Sequence, residues 1–325
     1  DRRKQMSRIN LIFLFIILYG VYSCPLASLV EYILVTNEKS DSVSLIDINT
    51  LEVIKEISVG KRPRGLGVSP DNSEIYIAVS GENKIKVIEP NNFQVTRSFY
   101  SGDDPESFAV HPNGLIYISN EEIAQASVID PATGKIIAKI EVGIEPEGVS
   151  VSPDGSTVVV TSESSNMAHF ISSLDYKITK NVIVGARPRA SCFSEDGKFV
   201  FVTSEISGEI SKIRVSDGVI LSKVILSKDM AKPKDILLAR DGRTLFVAGG
   251  RANEIYVVDS LNMTIENSIK VGRRVWGLAL SSSGELLFTT DGLDHQISVI
   301  DTDDLTVIKE VNVGQFPWGV MTYKP

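Results

Sequence analysis

The 325-residue sequence predicts an all-β chain, a seven-bladed β-propeller with four-stranded blades, and three observations carry that reading. A repeat of about 42 residues runs along the chain. Inside it, short runs rich in Val, Ile, Tyr and Phe alternate with turn residues. The two chain ends enter the repeat at complementary phases, so that together they make one blade. Internal repeats of this length, with four strands in each, mark propeller blades.

The repeat shows first in Val59-Gly60, Val142-Gly143, Val184-Gly185, Val271-Gly272 and Val313-Gly314. Shortly after this pair comes a proline, at Pro63, Pro105, Pro146, Pro188, Pro233 and Pro317, with Val275 in the one slot that lacks it. The intervals between these seven positions are 42, 41, 42, 45, 42 and 42 residues. A turn of the type Ser152-Pro153-Asp154-Gly155 keeps the same phase, as at Ser69-Pro70-Asp71 and Asp241-Gly242. The repeat opening at Gly148 predicts strands over 148–151, 157–161, 168–171 and 179–184. No repeat shows a sustained helical period.

The chain enters one strand late and leaves one strand over. Residues 32–36, 42–47 and 53–59 match the second, third and fourth strands of a blade, and residues 318–323 match a first strand with nothing after it. Pairing these ends closes the ring and removes open sheet edges, which otherwise invite aggregation. Residues 31–325 are thereby used up as a single domain.

Hydrophobic residues make up 43% and charged residues 23%, a globular balance with ample material for a core. The formal charge of −8 and the lack of a basic stripe interleaved with aromatics speak against a nucleic-acid partner. Only residues 1–23 depart from this composition. Arg2, Arg3, Lys4 and Arg8 precede an apolar run over 11–19 and then Gly20, Ser23 and Cys24, the layout of a secretory signal peptide. The run is short for a membrane span, which takes ~20 apolar residues. Export is the expectation, to a periplasmic or similar compartment, with a mature charge of −11 once four basic residues and one acidic one are removed. Cys24 follows the apolar run as a lipoprotein cysteine would, although Val21 and Tyr22 fit that pattern poorly. The other cysteine, Cys192, falls in an expected inner strand and reads as a small buried hydrophobe. Two cysteines so placed give neither a disulfide framework, nor a haem-attachment motif, nor zinc spacing.

The runs Tyr32-Ile33-Leu34-Val35-Thr36-Asn37 and Val43-Ser44-Leu45-Ile46-Asp47, with Val128-Ile129-Asp130, Val257-Val258-Asp259 and Val299-Ile300-Asp301, resemble the YVTN-type β-propeller repeat over the whole mature chain. With Thr161-Ser162-Glu163-Ser164-Ser165-Asn166 and Phe316-Pro317-Trp318-Gly319, the chain most resembles the β-propeller proteins associated with PQQ-dependent alcohol catabolism. That resemblance implies a non-catalytic protein working beside a quinoprotein dehydrogenase or an ABC transport component. It supplies no site residues and no resident cofactor, and leaves PQQ or haem open. The alternative is a propeller enzyme, such as a lactonase or a cofactor-binding oxidoreductase.

In a propeller, the loops from strand four to strand one share a face with those from strand two to strand three. The first set carries Arg62/Arg64, Asp104/Glu106, Glu145/Glu147, Arg187/Arg189, Lys232/Lys234, Arg274/Trp276 and Phe316/Trp318 around its prolines. The second set carries Glu38, Glu82, Glu121, Glu163, Glu205 and Asp291. Two adjacent blades are acidic, the next two basic, and the last two hold both tryptophans of the chain. One reading is that these charges simply pair across blades, as exposed ions often do. The functional reading is a binding site for a small planar anion or a partner protein at Arg187, Arg189, Lys232, Lys234, Arg274, Trp276 and Trp318. His111, His169 and His295 share no repeat position, which argues against a built metal or haem site. No GxSxG elbow and no HExxH motif occurs.

Overall fold

Alternation of apolar and turn residues becomes 28 strands in seven four-stranded antiparallel sheets in the computed structural model, which describes residues 30–227 and 231–325. The predicted leader over 1–23 and Cys24 lie outside the described residues. In chain order the blades span 63–100, 105–141, 146–183, 188–225, 236–270 and 275–312, here the second to seventh. The first blade joins both ends: Pro317–Tyr323 is its innermost strand, followed by Tyr32–Asn37, Ser42–Asp47 and Glu52–Ser58. The closing register pairs Tyr32 with Tyr323, Leu34 with Met321 and Val35 with Val320. The ring is a β-propeller closed by its own ends, as the strand phase requires.

The core lies between blades, because each sheet presents one face to each neighbour. The two middle strands of a blade are therefore buried on both sides, as over Ile75–Val79, whereas outer strands such as Glu52–Ser58 face solvent along most of their length. Leu34, Val43 and Leu45 of the first blade meet Ile75, Ile77 and Ile88 of the second. On its other face Ile33, Val35 and Val320 meet Phe288, Ile297 and Val299 of the seventh, so the closure is an ordinary blade-to-blade contact. Cys192 sits in the inner strand Pro188–Phe193 and burial pushes its thiol far up, in keeping with an inert packing role.

Two recurring devices hold the inner ends of the blades. A hydroxyl on the second strand accepts from an inner-strand N–H of its own blade and donates to a carbonyl of the next. Thr161 links Gly148 N to Arg189 O (2.9 and 2.7 Å), and Thr203 links Ala190 N to Lys234 O (3.0 and 2.7 Å). Thr36, Ser119 and Thr290 repeat the link to Arg64, Glu147 and Trp318. Ala78 and Ala248 stand in the remaining two blades.

The second device fixes the residue before the proline, which is left-handed at Arg62, Asp104, Glu145, Arg187, Arg274 and Phe316, with φ between 45° and 59°. This conformation is uncommon outside glycine. Except at Glu145, whose slot holds Ala124, it is held by a side chain in the preceding blade's turn: Asp41, Asn83, Asn166 and Asn253 accept the N–H of Arg62, Asp104, Arg187 and Arg274. His295 occupies the same slot and accepts from Phe316 N through Nδ1 at 3.1 Å, so a repeat position explains this histidine. The sixth blade departs from the rule. Gly208 fills the turn slot, Lys232 is not left-handed, and the inner strand shortens to Ile236–Leu238 where the repeat interval lengthens to 45.

Candidate functional site

The loops before each inner strand and those between strands two and three meet at one mouth of the channel. A mouth cavity of about 210 Å³ is lined by Glu38, Arg64, Glu121, Glu147, Arg187, Arg189, Arg274, Trp276, Phe316 and Trp318, among others. Beneath it, a channel cavity of about 160 Å³ shares Glu147, Arg189, Trp276 and Trp318 with the mouth and adds Lys234 and Asp235. Of the predicted residues, Arg187, Arg189, Arg274, Trp276 and Trp318 thus surround the mouth and Lys234 lies one level deeper. Lys232 lines neither cavity; its ammonium reaches toward the Ile206 carbonyl at 3.5 Å.

The two tryptophan rings lie 6.2 Å apart, tilted by 41°, and both are half-buried. Cations surround them. Lys234 Nζ stands 4.1 Å from the Trp276 ring centre, with the Arg274 and Arg189 guanidinium carbons at 5.1 and 5.2 Å. Arg64 lies 6.0 Å from Trp318. The rings pack on each other and on cations at once.

Most of these cations are matched by carboxylates. Arg189, itself buried, pairs with Glu147 (3.2 Å), Glu205 (2.7 Å) and Glu163. Lys234 donates to Glu205 at 2.7 Å, and Arg187 to Glu163 at 2.6 Å. Arg64 bridges Glu38 (3.5 Å) and the fully buried Glu106. Burial alone would raise the Glu205 carboxyl, but Arg189 and Lys234 hold it below its ordinary range. Burial, with Arg189 adding to it, pushes the Lys234 ammonium down to about 7.

The sequence set of acidic positions is corrected by backbone bonding. The N–H groups of Glu38, Ser80, Glu121, Glu163, Glu205 and Gly292 bond the carbonyl of the residue before the inner strand of their own blade, and these are the equivalent slots. Glu82 lies two residues beyond its slot and pairs with Lys86; Asp291 lies one residue before its slot, buried, and accepts from Thr289 and Ser298. The slot is Gly292 in the seventh blade, and Gly250 takes its place in the sixth. On that arc Lys234 reaches back to Glu205 and Arg273 pairs with Asp294, but among the described residues Arg274 and Lys232 make no ion pair.

Asp235 is the site residue that sequence reasoning misses. Its slot holds Gly65, Ser107, Gly148, Ala190, Gly277 and Gly319 in the other blades, so it is the one ionisable group in a ring of small residues. Its carboxylate accepts from Ile236 N and from Leu278 N of the next blade, both at 2.9 Å. It bridges to the next blade where Ala248 leaves no hydroxyl to do so. Burial raises its carboxyl to about 6. The only signal was a charged residue where the repeat has small ones.

No histidine lines either cavity. His169 is buried, its Nε2 accepting from Gly143 N and facing the Ser162 hydroxyl while its Nδ1 faces Asn181 Oδ1, and His111 bonds the Gly155 carbonyl at 2.6 Å. The described residues therefore offer neither cavity an imidazole ligand for a haem iron.

A family model described as a YNCE-like beta-propeller matches residues 21–325. Among solved structures, a protein of unknown function from Desulfotomaculum acetoxidans DSM 771 matches at a TM-score of 0.78 and 17% identity, over 90% of this chain and 99% of that one. A candidate 6-phosphogluconolactonase from Bacteroides fragilis NCTC 9343 matches at 0.77 and 18%, over 91% and 99%. The hydrazine synthase of Kuenenia stuttgartiensis matches at 0.73 and 19%, over 80% and 89%. At these identities the likeness is one of fold. No functionally curated protein matches the chain.

Proposed function

We propose that this chain, which belongs to the YNCE-like β-propeller family, is a binding module that takes a small planar anion, or an acidic, flat side chain of a partner, on the Arg274–Trp276–Trp318 side of its mouth. One observation carries the reading: where the sixth and seventh blades have Gly250 and Gly292 in place of a glutamate, Arg274 meets no carboxylate among the described residues and lies beside a half-buried tryptophan pair. A guanidinium offers two parallel N–H donors to a carboxylate, and the indole faces offer stacking area. Arg187, Arg189 and Lys234 take a different role, because their charges are already matched.

The narrower setting, an exported propeller serving a quinoprotein-linked alcohol catabolism or transport system, draws on the leader-like segment over 1–23 and on the repeat resemblance. PQQ itself is a planar polycarboxylate and is the first ligand to try. Calorimetric titration with PQQ and simple aromatic carboxylates should give one binding event that Arg274→Glu weakens at least tenfold. Binding unchanged in that variant would remove the site from this arc. The enzyme alternative finds footing at Lys234 and Asp235, neighbouring channel groups whose proton affinities burial brings near neutrality. Hydrolysis of a lactone panel, lost in Lys234→Met, would favour it.

A further inference from the structure

At the third blade, the mouth carries a second constellation that the binding reading does not use. Asp104, Glu106 and Glu121 each bring one carboxylate oxygen to within 4.8 Å of the others. Asp104 and Glu106 flank Pro105 at the entry of the third blade, and Glu121 opens the turn Glu121–Ile123, tied to Asp104 by a backbone bond of 3.1 Å. Acidic groups gather on many protein surfaces, and gathering alone means little. Here Glu106 is fully buried, and although Arg64 holds one of its oxygens, Oε2 has no hydrogen-bond partner. Asp104 is only 9% exposed and its Oδ1 also lacks a hydrogen-bond partner, with Arg62 no closer than 3.8 Å. Buried carboxylate oxygens without donors are costly, on the order of 1–3 kcal/mol each or more when charged. Glu121 lines the mouth cavity, which gives the cluster a way in from solvent.

We propose that Asp104, Glu106 and Glu121 form a site for one hard divalent cation, calcium by its dimensions, in the wall of the mouth. Calcium takes oxygen ligands at about 2.3–2.6 Å, so oxygens on opposite sides of it stand up to about 5 Å apart, and the observed spread falls within that span. Three carboxylates leave further positions to water from the cavity, which calcium tolerates better than magnesium does. Arg64 would remain on the outer oxygen of Glu106 and fix its orientation.

The site is independent of ligand binding at Arg274 and is tested without a ligand. Protein freed of metal with EDTA and titrated with CaCl2 in a calorimeter should bind one ion. Its melting temperature should rise by about 3–5 °C in millimolar calcium, with less effect from magnesium. Glu121→Gln should weaken calcium binding tenfold or more. Its melting temperature in EDTA should stay within about 1 °C of the parent's, since among the described residues Glu121 has no ion pair or side-chain hydrogen bond to lose. Asp104→Asn gives a second, less exposed probe with the same expected loss. Absence of heat and of a thermal shift with calcium in the parent, or equal calcium affinity in Glu121→Gln and Asp104→Asn, would overturn the proposal.

Discussion

The two arcs of the mouth are built from the same repeat yet put their charges to opposite use. On the arc of the fourth and fifth blades, Glu163 and Glu205 fill the slot after the second strand, and every cation that reaches inward meets one of them. On the arc of the sixth and seventh blades the slot is glycine, and among the described residues Arg274 and Lys232 pair with no carboxylate. A one-residue choice at a loop thus separates a structural ion network from an available binding charge. Position in the repeat alone cannot tell the two apart, since Arg187 and Arg274 hold the same slot.

The comparison is broken most sharply at Arg189. This guanidinium is buried and serves Glu147, Glu163 and Glu205 together. Arg189→Met leaves three carboxylates facing one another without it, and should cost about 3–5 kcal/mol, read as a lowered midpoint in urea. If Arg189→Met melted like the parent, the network on this arc would be ornament and the contrast with Arg274 would fall.

Lys234 sharpens the comparison through pH. Its ammonium is held at about 7, well below the ordinary 10.5 of a lysine. Between about pH 7 and 10 the unfolded chain therefore binds a proton that the folded chain has released, and stability rises with pH. The contribution is complete above the unfolded value and is lost as pH falls through about 7. Lys234→Met lacks this dependence. The stability of the parent relative to Lys234→Met should thus increase from pH 6.5 to 9.5, by roughly 2–3 kcal/mol at most. Parallel pH curves for the two proteins would contradict the burial on which the shift rests.

Much of this was legible in the sequence. Blade number and closure, and the shared mouth on which the loops before the inner strands meet, follow from the spacing of prolines, glycines and short apolar runs, since each has a local cause in turn chemistry and strand alternation. What was not legible depends on register. Glu82 and Asp291 lie two residues after and one before their slots, and such small offsets decide whether a carboxylate reaches the mouth or bonds inside its own blade. Pairing across blades is similarly hidden, so Lys234 looked like an available cation until Glu205 was found beside it. Asp235 was visible only as an exception among small residues, and its function as a bridge needs the absence of a hydroxyl at Ala248, 13 residues away.

A smaller effect tests the frame that both arcs share. Thr203 accepts from Ala190 N and donates to the carbonyl of Lys234, so it fixes the height at which Lys234 enters the channel. Thr203→Val keeps the volume and removes both bonds, leaving a buried N–H and C=O without that partner. A loss of about 1–2 kcal/mol is expected. Thr290→Val, which frees Gly277 N and Trp318 O on the glycine arc, should cost the same, because the frame is common where the charges are not. Unequal costs beyond about 1 kcal/mol would mean that the arcs differ in backbone as well as in charge.

The smallest expected effect on stability is the most informative for function. Arg274 is exposed, makes no ion pair among the described residues, and its backbone N–H rather than its side chain is what Asn253 holds. Arg274→Ala should therefore leave the urea midpoint unchanged to within about 0.5 kcal/mol, since only a partly solvated contact with the Trp276 ring is lost. The left-handed backbone at this position, φ 58°, is shared with Arg187, whose alanine variant carries the same backbone change and so serves as the control for it. Arg187→Ala also removes a bond to Glu163 and should cost more, roughly 1–2 kcal/mol, without altering binding of a planar anion. The two variants thus separate the functions by crossing: one loses stability and keeps the ligand, the other keeps stability and loses the ligand. If Arg274→Ala were the more destabilising of the pair, its charge would be serving the fold through some partner, and the glycine arc would be no more available for binding than the acidic one.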